Sequence, residues 1–322
     1  VRLRLAAKHK ESNMSENIGL LFPGQGAQFK GMGADLYERY PAARQVYDRA
    51  EEVLELPVRR LSFEGPEEEL RLTRFTQPAI LVHSLAALAV LPEMKPALTA
   101  GHSLGEYSAL YAAGVLDLES VLRLVRCRAE LMYSEGERQP GTMAAVLGLD
   151  AAAVEAVCRE TPGTVVPANY NEPRQTVISG EVEAVRAALE LARARGALKT
   201  VMLPVSGAFH SPLLNESARE FADFIMQFDF RDPAFPVIAN VTGQLVHTGA
   251  AVRSCLARQL TSPVRWVETM NTARAAGCLR FFEVGPGQVL AGLARRIDRS
   301  LVVLPAGKVA DMAAFVSTQE QG

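Results

Sequence analysis

The pentapeptide Gly101-His102-Ser103-Leu104-Gly105 constrains the fold more than any other stretch of the chain. Its G-x-S-x-G form is that of a nucleophile elbow. A strand ends, the backbone turns sharply with the serine at the apex, and a helix begins. The flanks fit: Ala97-Leu98-Thr99-Ala100 reads as a short buried strand. Glu106 to Ala113 is rich in helix formers and stops at Gly114. Gly101 and Gly105 relieve crowding where the chain folds against its own helix. The same pattern also occurs in turns with no chemistry, so it needs support from elsewhere.

Arg128 supplies that support. Asp117 is placed to N-cap a helix running from about Leu118 to about Tyr133. At about 100° per residue, Leu118, Val121, Leu124, Val125, Leu131 and Met132 form one apolar arc. Glu119, Arg123, Arg126 and Glu130 cluster opposite, with Glu119 and Arg123 spaced for an ion pair. Arg128 falls inside the apolar arc, where a guanidinium is almost never left unpaired. Two partners are open to it: a structural carboxylate, or a ligand carboxylate gripped bidentately by the planar fork. Downstream of a serine elbow, the second implies an acyl-serine enzyme whose substrate carries a free carboxylate.

A chain of 322 residues allows one large domain with an insertion, or two domains. It is 48% hydrophobic and 22% charged, as a globular enzyme would be. A formal net charge of -2 argues against nucleic-acid binding. No apolar run is long enough to span a membrane, and Leu81 to Leu91 reads as a buried core helix. Cys127, Cys158, Cys255 and Cys278 form no C-x-x-C pair, so neither zinc nor a disulfide framework is suggested. A cytoplasmic location is the expectation. Residues 1–13 are basic, lack an initial Met and precede Met14, and read as an extension, a misassigned start or a linker remnant.

Ile18 to Phe22 reads as a buried strand running into the Gly- and Pro-rich loop Pro23–Gln28. Helices are expected at 41–55 and 78–91. From Thr142 to Val205 the periodicity is β-α-β-β-α-β, the order of a ferredoxin-like split unit. Its strands are Met143–Leu149, Val165–Asn169, Gln175–Ser179 and Leu198–Leu203, and its helices Ala151–Glu160 and Val182–Arg195. This unit (139–205) reads as a small subdomain inserted into a larger α/β domain (14–138 and 206–322). After Pro204, strands are expected at Val237–Val241 and Phe281–Val284. Helices are expected at about 213–228, 250–260, 264–276 and 288–297.

A serine hydroxyl needs a base in contact. His9 lies in the basic extension, and His83 in an apolar helix reads as a core histidine. His102 neighbours the serine but points away from it at an elbow, and reads as shaping the turn. His247 lies beside Thr248-Gly249, in a turn-like setting. His210, in the irregular segment Pro204–Pro212, is the best candidate base. No acidic third member is evident, since Asp117 and Asp150 read as helix caps. A backbone carbonyl is able to orient the imidazole instead. The Leu104 amide is the expected first oxyanion donor, and the Gly24-Gln25-Gly26 backbone a candidate second. That loop lacks the third glycine of a dinucleotide fingerprint and the Lys-Ser/Thr of a P-loop, so nucleotide binding is discounted.

Several motifs then coincide in order: Phe22-Pro23-Gly24-Gln25-Gly26-Ala27-Gln28, Gly101-His102-Ser103-Leu104-Gly105-Glu106, Arg128, Ala208-Phe209-His210-Ser211, Gln259-Leu260-x-x-Pro263-Val264-x-Trp266 and Glu283-Val284-Gly285-Pro286-Gly287. The chain closely resembles malonyl-CoA:acyl-carrier-protein transacylases and the acyltransferase domains of polyketide synthases, from about Ile18 to about Gly307. The resemblance implies an α/β-hydrolase-like core with a ferredoxin-like insertion. It also implies ping-pong transfer of malonyl from CoA, through a Ser103 ester, to the phosphopantetheine thiol of an acyl carrier protein. Fatty-acid and polyketide synthesis both use such a step. His210 would be the base, Arg128 the partner of the malonyl carboxylate, and Gln25 and Leu104 the oxyanion hole. The main-chain carbonyl of Gln259 would orient His210. Phe209 resembles the malonyl-type signature, whose bulky ring crowds an α-methyl branch, and with His102 and Leu104 in the elbow it points to malonyl over methylmalonyl. The resemblance implies a monomer with no cofactor or metal.

Other classes make different demands. An acyl hydrolase of the same fold needs no carboxylate anchor, so Arg128 argues against it. An ordinary esterase predicts an acidic third member and a dispensable Arg128. A non-catalytic carrier-docking module would not require Ser103, His210, Arg128 and Gln25 together.

Overall fold

In a computed structural model that describes residues 17–205 and 207–312, the run Ile18–Phe22 (β1) is buried from Gly19 onward. The expected extension 1–13 and the expected boundary at 206 lie outside the described residues. A strand with no exposed face belongs inside a parallel sheet covered on both sides. β1 takes that place. The other strands are Thr99–Gly101 (β2), Gly141–Leu147 (β3), Val165–Glu172 (β4), Gln175–Glu181 (β5), Lys199–Met202 (β6), Val237–Ala239 (β7), Gln244–Val246 (β8), Arg280–Glu283 (β9) and Val302–Pro305 (β10). The first sheet has the order β10-β9-β1-β2-β7-β8 and is parallel except at β7/β8.

Side chains of β1 alternate between two apolar layers. Leu20 and Phe22 join one layer with the helices Pro41–Leu54, Thr73–Val90 and Leu118–Arg138. Leu21 joins the other with the helices Trp266–Ala275 and Val289–Ile297. The period-two alternation of a strand thus divides one continuous apolar run between two cores.

The stretch from β3 to β6 forms a separate antiparallel sheet of order β4-β5-β3-β6. Helices Ala151–Glu160 and Val182–Ala194 cover one face, meeting Ala144 and Val146 of β3. The alternate residues Met143 and Ala145 face the larger core. β4 is tied to the layer of Leu21 by backbone bonds on either side of Val264: Tyr170 N donates to its carbonyl (2.9 Å), and its amide to Ala168 O (2.8 Å).

Two expected helices run longer than the sequence pattern suggests, and one strand is new. The helix expected at 78–91 spans Thr73–Val90, with Pro78 inside it. Proline reads as a helix start, but here the turn before it is held by burial of Thr73, Thr76 and Gln77, and by Thr76 Oγ1 donating to Leu70 O. The helix expected to end near Tyr133 continues to Arg138 through buried Gly136, its last turn tied by ion pairs of Arg138 to Glu135 and Glu216. β10 was not expected; its proline closes an edge strand, where a missing N–H costs little.

Close backbone contact fixes the end of β1 against the elbow. A Cβ on Gly105 would stand 2.0 Å from Phe22 O, and one on Gly101 1.9 Å from the Gly105 carbonyl carbon. Gly114 ends the elbow helix at φ 72° with open space around it. Gly105→Ala should therefore cost about 3 kcal/mol in urea denaturation through overpacking. Gly114→Ala should cost only about 1 kcal/mol, the strain of a left-handed alanine. Equal costs at the two sites would contradict the close packing.

Candidate active site

β1, β2 and β7 run parallel and side by side, and the residues just beyond their C-terminal ends meet, as ligand sites do in open α/β sheets. Ser103 follows β2 with φ 51°, a left-handed backbone that a non-glycine adopts only when its surroundings enforce it. Asn240, just after β7, enforces it. Its Oδ1 accepts from Ser103 N (2.6 Å), and its Nδ2 donates to Gly101 O (2.7 Å). Gln259 Nε2 adds a bond to Ser103 O (3.1 Å).

Ser103 Oγ lies 2.8 Å from His210 Nε2 and accepts from Arg128 Nη2 at 3.0 Å. His210, at φ 58°, is buried. Its Nδ1 is 3.0 Å from two backbone carbonyls, Gln259 O and Ser262 O. Both are acceptors, so Nδ1 carries the hydrogen and Nε2 presents a lone pair to the serine. Burial, with the Arg128 charge adding, pushes the imidazole down to about 3. The ring is therefore neutral, the form a base requires. His247 is exposed and stands apart from the site. His83 is buried with Nε2 2.8 Å from Gly307 O.

Arg128 is 1% exposed. Nη1 donates to Gln77 Oε1 (2.5 Å) and Nη2 to Gln259 Oε1 (3.1 Å), and the guanidinium lies 5.4 Å over the Tyr107 ring. Nε is buried and has no partner among the described residues. Every acceptor in contact is neutral, so the structural-carboxylate option for Arg128 fails. The nearby acid Glu106 is itself pushed up to about 7 by burial.

The Leu104 amide heads the helix Gly105–Ala112, where first-turn N–H groups have no intrahelical acceptor. Gly24 brings the second loop close: a Cβ there would stand 2.3 Å from His102 O. Among the described residues neither the Leu104 nor the Gln25 amide has an acceptor. The Gln25 side chain is occupied, donating to Thr73 Oγ1 (3.2 Å). His102 points away from Oγ, with Nε2 2.8 Å from Asn171 Oδ1 and its ring 5.3 Å from Trp266.

These residues border a cavity of about 100 Å³, walled by Gln25, His102, Ser103, Leu104, Arg128 and His210 with apolar Met132, Met143, Leu203, Val205 and Phe209. Drug-sized ligands need at least about 300 Å³, so the space suits a short acyl group. A larger groove of about 900 Å³ beside Arg295 and Arg299 holds no nucleophile, and its acids Glu172 and Asp298 are already paired with arginines.

Sequence reasoning missed Gln77, Asn240 and Ser262, and took no account of Glu106 beyond its motif. Asn240 fell inside an expected strand, though a polar residue ending a parallel strand is a site signal. Glu106 was legible as a lone acid among Tyr107, Ser108, Ala109 and Leu110. Ser262 contributes only a backbone carbonyl, which no sequence pattern reveals.

The chain belongs to the acyl transferase domain family, which it matches over residues 20–314. It is 45% identical over 289 residues to the malonyl CoA-acyl carrier protein transacylase of Bacillus subtilis, covering 88% of this chain and 91% of that protein. It is equally identical to the polyketide biosynthesis protein ThaF of Burkholderia thailandensis, covering 88% of this chain but only 25% of ThaF. Two solved structures superpose with a TM-score of 0.91. One is a type II polyketide synthase acyl-carrier protein in complex with its malonyl-transacylase, at 38% identity, covering 94% of this chain and all of that one. The other is the malonyl-CoA:acyl carrier protein transacylase of Xanthomonas oryzae, at 40% identity, covering 94% and 98%.

Nitrogen NMR of His210 should show a neutral ring with hydrogen on Nδ1 from about pH 8 to pH 5. An imidazolium at pH 6 would contradict the geometry. The folded ring resists a proton that the unfolded ring takes near 6.5, so His210 subtracts stability as pH falls below 6.5.

Proposed function

We propose that the protein is a malonyl-CoA:acyl-carrier-protein transacylase, and the observation that carries this reading is Arg128. A buried guanidinium that touches the nucleophile and meets only neutral acceptors calls for an anionic ligand at the reacting end. A malonyl carboxylate supplies that anion, and uncharged acyl groups leave the cation unpaired. The names of the relatives point the same way. A proofreading hydrolase for carrier-bound acyl groups has no use for the cation, which disfavours that alternative.

The transfer follows from the geometry. Ser103 Oγ attacks the malonyl thioester carbon while its proton passes to His210 Nε2. The carbonyl oxygen becomes an oxyanion, received by the Leu104 and Gln25 amides. The intermediate collapses, the C–S bond breaks, and the proton on Nε2 goes to the CoA sulfur. The phosphopantetheine thiol of the carrier then gives its proton to Nε2 and attacks the malonyl-serine ester. Collapse breaks the C–Oγ bond and returns the proton to Ser103. When the malonyl carboxylate neutralises Arg128, the charge that depresses His210 is offset, and the base strengthens as substrate arrives.

The same reading takes the first sheet as an α/β-hydrolase-like core and the second as a ferredoxin-like insertion. The β-α-β-β-α-β order, with its third strand between second and first, supports the latter. It divides the chain into 14–138 and 206–322 around 139–205, working as a monomer with carrier protein and malonyl-CoA as its partners. No cofactor or metal enters the reaction as written.

Intact mass measurement after mixing with malonyl-CoA, then with a carrier protein bearing its phosphopantetheine, tests this directly. A malonyl adduct should form, move to the carrier and be absent in Ser103→Ala. Arg128→Ala should slow malonyl loading about 100-fold, near the ~3 kcal/mol cost of removing one partner of a buried charge pair. Loading of acetyl from acetyl-CoA should fall far less. Release of free malonate without malonyl-carrier would favour the hydrolase. Phe209 walls the cavity and is buried, so Phe209→Ser should open room for an α-methyl branch. A variant gaining no methylmalonyl turnover would remove Phe209 from the selectivity argument.

A further inference from the structure

One buried acid takes no step in the transfer. Glu106, in the first turn of the helix Gly105–Ala112, is 2% exposed. Two donors meet its Oε2: Gln259 Nε2 at 2.5 Å and the Asn240 amide at 3.4 Å. Asn240 is the residue that holds the elbow through Ser103 N and Gly101 O.

An ionised carboxylate only accepts hydrogen bonds. It therefore draws the NH₂ of Gln259, which also donates to Ser103 O at 3.1 Å. Oε1 of Gln259 is left facing Arg128 Nη2, at 3.1 Å. A reversed amide would set NH₂ against the guanidinium and oxygen against the carboxylate, losing all three bonds. The main chain of this same glutamine supplies the carbonyl that tethers His210 Nδ1 at 3.0 Å.

We propose that Glu106 is a positioning residue for acyl transfer: its carboxylate fixes the side-chain amide of Gln259, and through that residue aims both Arg128 and His210 at Ser103. The Arg128 half rests on the transacylase reading, and the His210 half does not.

The titratable and charged groups facing Glu106 are Arg128 from the helix Leu118–Arg138, Tyr107 on its own helix and Cys255 from the helix Gly249–Arg258. Of these only Arg128 is charged near neutrality. Burial lifts the Glu106 carboxyl to about 7, against the Gln259 and Asn240 bonds and Arg128, which lower it. As pH falls through 7, Glu106 gains a proton, its bond to Gln259 loses its charge assistance, and serine reactivity should fall. His210, near 3, does not titrate in that range.

The test compares the parent with Glu106→Gln and Glu106→Ala between about pH 5.5 and 9, with folding checked by thermal melts. Two rates are measured: malonyl-Ser103 formation from malonyl-CoA, and labelling of Ser103 by a fluorophosphonate. The parent should lose rate below pH 7. Glu106→Gln should be slower by about tenfold at pH 8 in both reactions, the difference between a charged and a neutral acceptor, and flat across pH 7. Glu106→Ala should be slower still. Folded variants within twofold of the parent in both rates, or a Glu106→Gln profile that keeps the limb at pH 7, would overturn the proposal. A lowered melting temperature with unchanged rates and limb would do the same, reducing Glu106 to a structural role. Should the alanine variant not fold, the glutamine profile decides alone. The fluorophosphonate needs no carboxylate. A parent that it labels but malonyl-CoA does not load would sink the transacylase reading while the His210 half is still read from the labelling rates.

Discussion

A guanidinium charge buried against a serine hydroxyl, with only neutral groups in contact, is the condition around which the site is arranged. Removing such a charge from water is expensive, and the protein covers part of that cost with the Gln77 and Gln259 oxygens and the Tyr107 ring face. The remainder is left for a ligand. Behind His210 two backbone carbonyls take the place of an acidic third member and fix the imidazole direction.

The charge also sets the state of its neighbours. Beside it an imidazolium is disfavoured, so the base starts neutral. In the proposed transfer the oxyanion, the substrate carboxylate and Glu106 would all be drawn toward one positive centre and toward the N-terminal end of the elbow helix, where the backbone dipole favours negative charge. One helix start and one arginine thus act on the same charges.

Much of this was legible before any coordinates. The elbow announced itself through two glycines whose absent side chains make room for backbone, a demand that leaves little freedom in sequence. Arg128 was legible because a charge in an apolar helical arc is rare. The small antiparallel sheet showed through the order of its short strands and helices, β-α-β-β-α-β. What stayed hidden shares one property, dependence on tertiary contact. The turn Thr73–Gln77 precedes a proline, and only burial makes it helical, so Gln77 and Thr73 fell outside the expected helix. Ser262 acts through its main chain. Asn240 and Glu106 carry ordinary side chains whose importance lies in partners more than 130 residues distant.

The cavity has one wall from each sheet, and the two walls are held in different ways. The catalytic wall is backbone packed on backbone at Gly24, Gly101 and Gly105, with no slack for movement. The facing wall, with Met143, Asn169, Leu203 and Val205, rides on the second sheet. Its ties to the first body include the backbone bonds at Val264, the His102–Asn171 contact and the Glu172–Arg296 ion pair. Such an arrangement works as a vice with one fixed jaw. A substitution that shifted the second sheet would alter the clearance above Ser103 without touching the backbone packing at Gly101 and Gly105. Under the proposed function, acyl-group preference would then depend also on residues far from the serine that never touch the substrate.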